Sequence, residues 1–161
     1  MKIAFDLHGV LEKYPKQFKA IFSTLNSLGA DVGIISGPPR NQIVTELSDL
    51  GFFPATDYFQ FIYSIVDFLK RYPIRIDKNG KETYVNMWQD EENNWWCDDF
   101  NWWSSKGRIC QAYNVDVLID DRIEYYSHFD PTCQTRFVHM KDCAFDQFVI
   151  RFFNMLKVSY E

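Results

Sequence analysis

The sequence predicts an α/β fold, a Rossmann-like parallel sheet flanked by helices, and three observations carry that prediction. Apolar runs recur at KIAFD (2–6), VGII (32–35) and VDVLID (115–120). They are continuous rather than alternating, which is how a strand buried on both faces reads. Segments of helical periodicity stand between them, and a strand, helix, strand, helix order predicts parallel strands covered by helices.

Each element has its own signal. The strand over 2–6 ends in a carboxylate, Asp6, with Leu7-His8-Gly9 directly behind it. A helix is expected over 15–28, because Phe18, Ile21, Phe22 and Leu25 recur at helical spacing and Gly29 can end it. The strand over 32–35 is halted by Ser36-Gly37-Pro38-Pro39, and proline at a first helical position predicts a second helix over 39–50. Residues 59–65 read as a third strand and 66–72 as helix. From 73 to 88 the chain alternates around Asn79-Gly80, a strong hairpin-turn pair. An acidic, tryptophan-rich segment follows over 89–103. A helix over 104–113, the strand over 115–120, a strand over 135–139 and a helix over 145–156 close the chain. No repeat, linker or low-complexity segment intervenes. A single domain is expected over 1–161, with 57–103 as a small hairpin and tryptophan-rich insertion within it.

Composition narrows the function classes. A chain of 161 residues buries about two thirds of its unfolded surface, and an 18% aromatic share supplies bulky core side chains. The net charge of −5 argues against the broad basic face that extended nucleic acid requires, yet leaves room for a local basic pocket for one phosphate. No apolar run reaches the about 18 residues of a membrane span. The N-terminal residues lack the charged, apolar and small-residue succession of a secretory leader, so a cytoplasmic location is expected. Cys97, Cys110, Cys133 and Cys143 form no CxxC pair, so free buried thiols are expected rather than disulfides or a zinc site.

Ligands of an open parallel sheet sit beyond the carboxyl ends of its strands. Asp6 ends the first strand, Ser36 ends the second, and Asp120-Asp121 end VDVLIDD; Lys106 lies just before that strand, at the start of the predicted helix. Each alone is ordinary. Asp after a strand is a common turn former, Ser before Gly-Pro-Pro a common loop residue, and Lys106 a helix residue free to be solvated. Together they are a far stronger signal.

In this order these residues resemble the haloacid dehalogenase superfamily, a group of mostly Mg²⁺-dependent phosphohydrolases. Its first motif, a strand followed by Asp-x-Asp-Gly-Thr/Val, is matched by Asp6-Leu7-His8-Gly9-Val10. Its second, a Ser or Thr after the next strand, is matched by Ser36 in GIISG. Its Lys is matched by Lys106, and its acidic pair by Asp120 and Asp121. The sequence IDDR (119–122) also resembles the fourth motif of deoxyribonucleotidase-type members. The resemblance implies a haloacid dehalogenase-like core and a phosphatase that hydrolyses a small phosphomonoester through an aspartyl-phosphate on Asp6. It also implies Mg²⁺ held by Asp6, the main-chain carbonyl of His8 and Asp121, with Asp120 supporting, and phosphate oxygens held by Ser36, Gly37 and Lys106. The chemistry agrees with the comparison. A carboxylate attacks a doubly charged phosphate only where a cation offsets the repulsion, and hard oxygen ligands suit Mg²⁺.

His8 departs from the family pattern, which has Asp two residues after the nucleophile as acid and base. Three readings stand. His8 does the same work, for which an imidazole with a reference pKa of about 6.5 is competent. Or it is a poor substitute, and the protein binds a phosphorylated ligand as a regulatory module. Or the reaction differs, as in family branches that cleave carbon–halogen or carbon–phosphorus bonds. His128 and His139 have no partner at metal-ligand spacing and read as structural. Trp88, Trp95, Trp96, Trp102 and Trp103 either stack on a nucleobase or sugar or pack a small subdomain, and packing is the simpler reading. Asp90-Glu91-Glu92 reads as a solvated face that repels highly charged ligands. A nucleoside monophosphate or another small organic phosphate therefore fits better than a polyphosphate or an oligonucleotide.

Overall fold

The computed structural model describes residues 1–77, 79–141 and 144–157. The chain runs through β1 (Lys2–Phe5), α1 (Pro15–Ser27), β2 (Asp31–Ser36), α2 (Arg40–Asp49), β3 (Phe61–Ser64) and α3 (Ile65–Arg71). Four short strands follow: β4 (Ile74–Ile76), β5 (Glu82–Tyr84), β6 (Trp88–Gln89) and β7 (Trp95–Trp96). The rest is α4 (Asp99–Tyr113), β8 (Val117–Asp120), α5 (Ile123–Ser127), β9 (Arg136–His139) and α6 (Phe145–Lys157). Five strands form one sheet in the order β3-β2-β1-β8-β9, every pair parallel. This is the Rossmann-like α/β architecture that the apolar runs predict.

Alternation along the strands sends side chains to two separate cores. Ile3 and Phe5 of β1, with Val32 and Ile34 of β2, pack against Phe18 and Phe22 of α1, Ile43 of α2 and Phe148 and Phe152 of α6. Ala4, Ile35 and Leu118 face the other way, against Ile65 and Leu69 of α3 and Ile109 and Cys110 of α4. A strand buried on both faces needs apolar residues at every position, hence the unbroken runs. β1 lies at the centre of the sheet, so its carboxyl end opens onto the middle of the molecule.

Several boundaries differ from the sequence reading for identifiable reasons. α4 begins at Asp99, not at residue 104, because the Asp98 side chain caps it by accepting from the Asn101 N–H at 3.0 Å. Lys106 therefore lies mid-helix instead of at a helix start. β3 belongs to the central sheet, so the part outside the sheet and its helices covers 73–98, shorter at both ends than 57–103. Within it the predicted hairpin forms with three-residue arms, Ile74 opposite Tyr84 and Ile76 opposite Glu82, followed by the small β6–β7 ribbon. Asp90 is not merely solvated. Its carboxylate accepts from the Glu92 and Asn94 N–H groups and from Trp96 Nε1, and so folds the turn of that ribbon.

The described cysteines are free, with Cys110 buried and Cys97 and Cys133 half-buried, less enclosed than expected; Cys143 lies outside the described residues. Among the described residues no helix is long and apolar enough to cross a membrane.

Candidate active site

Three parallel strands deliver the site. The Asp6 N–H bonds to the Ile119 carbonyl at 2.9 Å, extending the β1–β8 ladder by one residue and fixing the carboxylate at the sheet's edge. Asp6 Oδ1 accepts from the Leu7 N–H at 2.8 Å and from Lys106 Nζ at 3.0 Å. Lys106 rises from α4 with only 1% of its surface exposed and also donates to Asp120 Oδ2 at 2.5 Å. The Tyr125 ring lies 4.3 Å from the same ammonium. Asp120, fully buried at the end of β8, has its other oxygen on the Arg122 N–H at 2.8 Å. Both of its oxygens are thus engaged in holding neighbours.

Asp121 stands beside them, half-buried and facing the pocket. Oxygens of Asp6, Asp120 and Asp121 lie within 4.8 Å of one another. The turn after β1 passes so close to Asp121 that a Cβ on Gly9 would lie 2.1 Å from its Oδ2, and Gly9 has φ +75°. Only glycine fits there. The Gly9 N–H is held by Glu12 Oε1 at 2.7 Å. On the far side, His139 Nε2 lies 2.9 Å from the Asp121 carbonyl, so this histidine braces the acidic turn. His128 instead turns to the Glu124 carbonyl and lines no part of the pocket.

Ser36, fully buried at the end of β2, brings its hydroxyl to 3.4 Å from His8 Nδ1. The other ring nitrogen of His8 lies 2.8 Å from Glu46 Oε2 on α2. Gly37 packs under the Trp102 indole, whose ring would lie 3.2 Å from a Cβ at that position. Asp6, His8, Ser36, Gly37, Lys106 and Asp121 all line one pocket of about 480 Å³. Its outer wall is Trp95, Trp102 and Trp103 with Asn93 and Asn94 from the ribbon turn. Trp88 and Trp96 stack on each other outside it, ring centroids 6.1 Å apart. The five tryptophans thus divide: three serve the pocket and two pack the ribbon.

The charges are unbalanced. Burial pushes the Asp6 carboxyl up to about 6, against the lowering pull of Lys106, and Asp120 adds to the rise. Burial and the Asp120 charge push Asp121 up as well. For Lys106 burial favours the neutral amine, but Asp120 and Asp6 outweigh it and hold the ammonium above its ordinary range. Among the described residues Lys106 is thus the one buried cation beside these three carboxylates, and Lys13 adds a weaker pull on Asp121. The donor set is all hard oxygen, and Asp6 and Asp121 line the pocket while Asp120 does not. Those two carboxylates can hold a divalent cation, and a second positive charge there offsets both the burial of their charges and the repulsion that Asp120 adds.

Every site residue singled out from sequence converges here. Glu46, Gln42, Glu12 and Tyr125 were not singled out; the contacts of Glu46 and Tyr125 depend on how α2 and α5 dock, whereas Glu12 acts locally on the Gly9 N–H. Comparison of the chain with protein-family models, with curated proteins and with solved structures returns no match.

Proposed function

We propose that this chain is a haloacid dehalogenase-type phosphohydrolase, a Mg²⁺-dependent phosphatase acting on a small organic phosphomonoester. The observation that carries the reading is the buried Lys106 ammonium held between Asp6 and Asp120, with Asp121 and Ser36 on the same pocket. That grouping offers a carboxylate nucleophile, a cation site and two phosphate-oxygen donors in one place.

Asp6, the His8 main-chain carbonyl and Asp121 would hold Mg²⁺, which when bound supplies positive charge against the phosphate oxygens. Asp6 Oδ1 is already tied to Leu7 and Lys106, which leaves Oδ2 for attack on phosphorus. The phosphorus–oxygen ester bond breaks as the aspartyl-phosphate forms, and the leaving oxygen takes its proton from His8. Water then attacks the phosphorus and gives a proton back to His8, releasing phosphate and restoring the Asp6 carboxylate. Lys106 and the Ser36 hydroxyl hold the phosphoryl oxygens as charge moves through them. The Trp95, Trp102 and Trp103 wall suits the flat face of a nucleobase, so a nucleoside monophosphate is the substrate favoured within this class.

Hydrolysis of p-nitrophenyl phosphate with and without Mg²⁺ tests the activity; a rate equal to buffer in both arms would overturn it. His8 favours one second reading, a binding module that holds a phosphorylated ligand. Accumulation of a stable phosphoenzyme in the wild type, relieved by His8→Asp, would select it.

The metal roles are separable. Asp121→Asn is expected to lose most Mg²⁺ affinity, because its carboxylate faces the pocket. Asp120→Asn is expected to lose about 10- to 100-fold, the usual worth of a group that orients ligands from behind. Calorimetric Mg²⁺ titration of both variants checks the order, and a larger loss at Asp120 would reverse the two roles.

A further inference from the structure

Glu46 takes no part in the scheme above, yet its carboxylate meets the one side chain that departs from the family pattern. His8 is 47% exposed at the side chain, so an unsupported ring there would exchange rotamers in solvent. Instead Nε2 lies 2.8 Å from Glu46 Oε2. Glu46 Oε1 in turn accepts from Gln42 Nε2 at 2.8 Å, one turn earlier on α2. His8 Nδ1 lies 3.4 Å from the Ser36 hydroxyl. The four side chains therefore form a line from α2 to the end of β2. The neighbouring acid Glu12 is held by the Gly9 N–H and takes no part in that line.

The chemistry of the Glu46 partner fixes one hydrogen position. A carboxylate only accepts, so the nitrogen facing Glu46 carries the hydrogen. The nitrogen left over, Nδ1, is the one that meets Ser36 and the phosphate position. We infer that Glu46 is a positioning residue that holds the Nε2–H of His8 and turns Nδ1 into the pocket, so that Nδ1 gives the proton when the ring is charged and takes it when the ring is the neutral Nε2–H tautomer. Glu46 and His8 together would then replace the single Asp of the family pattern. The inference rests on the acid–base role of His8 in the proposed reaction, and it places the supporting carboxylate on α2, outside all four motifs.

Two measurements test it. Imidazole ¹⁵N NMR of wild type at pH 8 is expected to show His8 with Nε2 protonated and Nδ1 bare. Glu46→Ala is expected to lose that preference, and Glu46→Gln, whose amide oxygen still accepts from Nε2–H, to keep it. Kinetics with p-nitrophenyl phosphate gives the second readout, since water attack on the phosphoenzyme needs a base whatever the leaving group. Glu46→Ala is expected to lower kcat about 10-fold with KM little changed, a part of the about 10²- to 10⁴-fold worth of the acid–base group itself. Glu46→Gln should restore most of it. In a His8→Asp background Glu46→Ala should change nothing. An unchanged tautomer in Glu46→Ala, or the same kcat loss in the His8→Asp background, would overturn the positioning role. Absence of hydrolysis in every variant would instead count against the phosphatase reading, while the tautomer measurement still decides the position of His8.

Discussion

Asp6→Asn is expected to abolish turnover, with kcat falling about 10³- to 10⁶-fold, as is usual when a nucleophile is removed. The amide has no oxygen anion to attack phosphorus, yet its shape is nearly that of the carboxylate, so packing around it should hold. A rate above about one per cent of wild type would remove Asp6 from the nucleophile role. A second consequence separates lost chemistry from lost folding. The Asp6 carboxyl sits at about 6 in the fold against an ordinary 3.8. A pKa raised in the folded state means that the protonated form is favoured there. The stability tied to it is present below 3.8 and is lost as the pH climbs through about 6. Above that pH the buried charge costs the metal-free protein up to about 3 kcal/mol. Asparagine carries no such charge, although Lys106 then loses one of its two partners. Metal-free Asp6→Asn is thus expected to be more stable than wild type at pH 8 by on the order of 1 kcal/mol, with the advantage gone near pH 4. Thermal melts at both pH values, in chelator and in Mg²⁺, check this. A variant less stable than wild type at pH 8 would mean that the Lys106 pairing outweighs the burial of Asp6.

The parts of this site that were legible in the sequence are those fixed by strand ends. A residue that follows a buried apolar run must emerge at the sheet's edge, so Asp6, Ser36, Asp120 and Asp121 could be placed before their partners were known. The cap at Asp98 was equally open to reading, since Asp is a preferred N-cap residue, and here it accepts from the Asn101 N–H. The run of tryptophans around it obscured the helix, since aromatic and acidic residues here serve a pocket wall and a turn rather than a periodic face. Glu46 was not legible. It is one of several polar residues on α2, and its contact with His8 arises from the angle at which α2 docks against the end of β1. That angle is set by Ile43 and Leu47 in the core, and no local spacing encodes it. The same holds for Tyr125 against Lys106, where a five-residue helix turns one aromatic inwards.

Lys106→Met is expected to be the most destabilising single change in the site. Methionine matches the length of the lysine stem, so no large cavity confounds the result, and what is removed is the ammonium. In wild type the Lys106 pKa is raised above its ordinary 10.5, so its contribution is present below that value and is lost only as the pH rises through the higher folded one. Across pH 5 to 9 the ammonium therefore stays charged, and what changes is the charge on the Asp6 carboxyl facing it. In the variant the buried Asp6 and Asp120 carboxylates are left without that cation, and losing one partner of a buried charge group costs about 3–5 kcal/mol. Small domains have only about 5–15 kcal/mol in all. The loss should depend on pH with a definite sign. Without the ammonium the Asp6 carboxyl rises further, so it is neutral and tolerated near pH 5 and charged and costly at pH 8. Urea denaturation at the two pH values is expected to show a small deficit at pH 5 and a large one at pH 8. Adding Asp6→Asn to Lys106→Met should recover part of the deficit at pH 8, because one of the two uncompensated charges is then gone. An equal deficit at both pH values, with no recovery in the double variant, would mean that Lys106 acts through packing and not as the counter-charge of the acidic cluster.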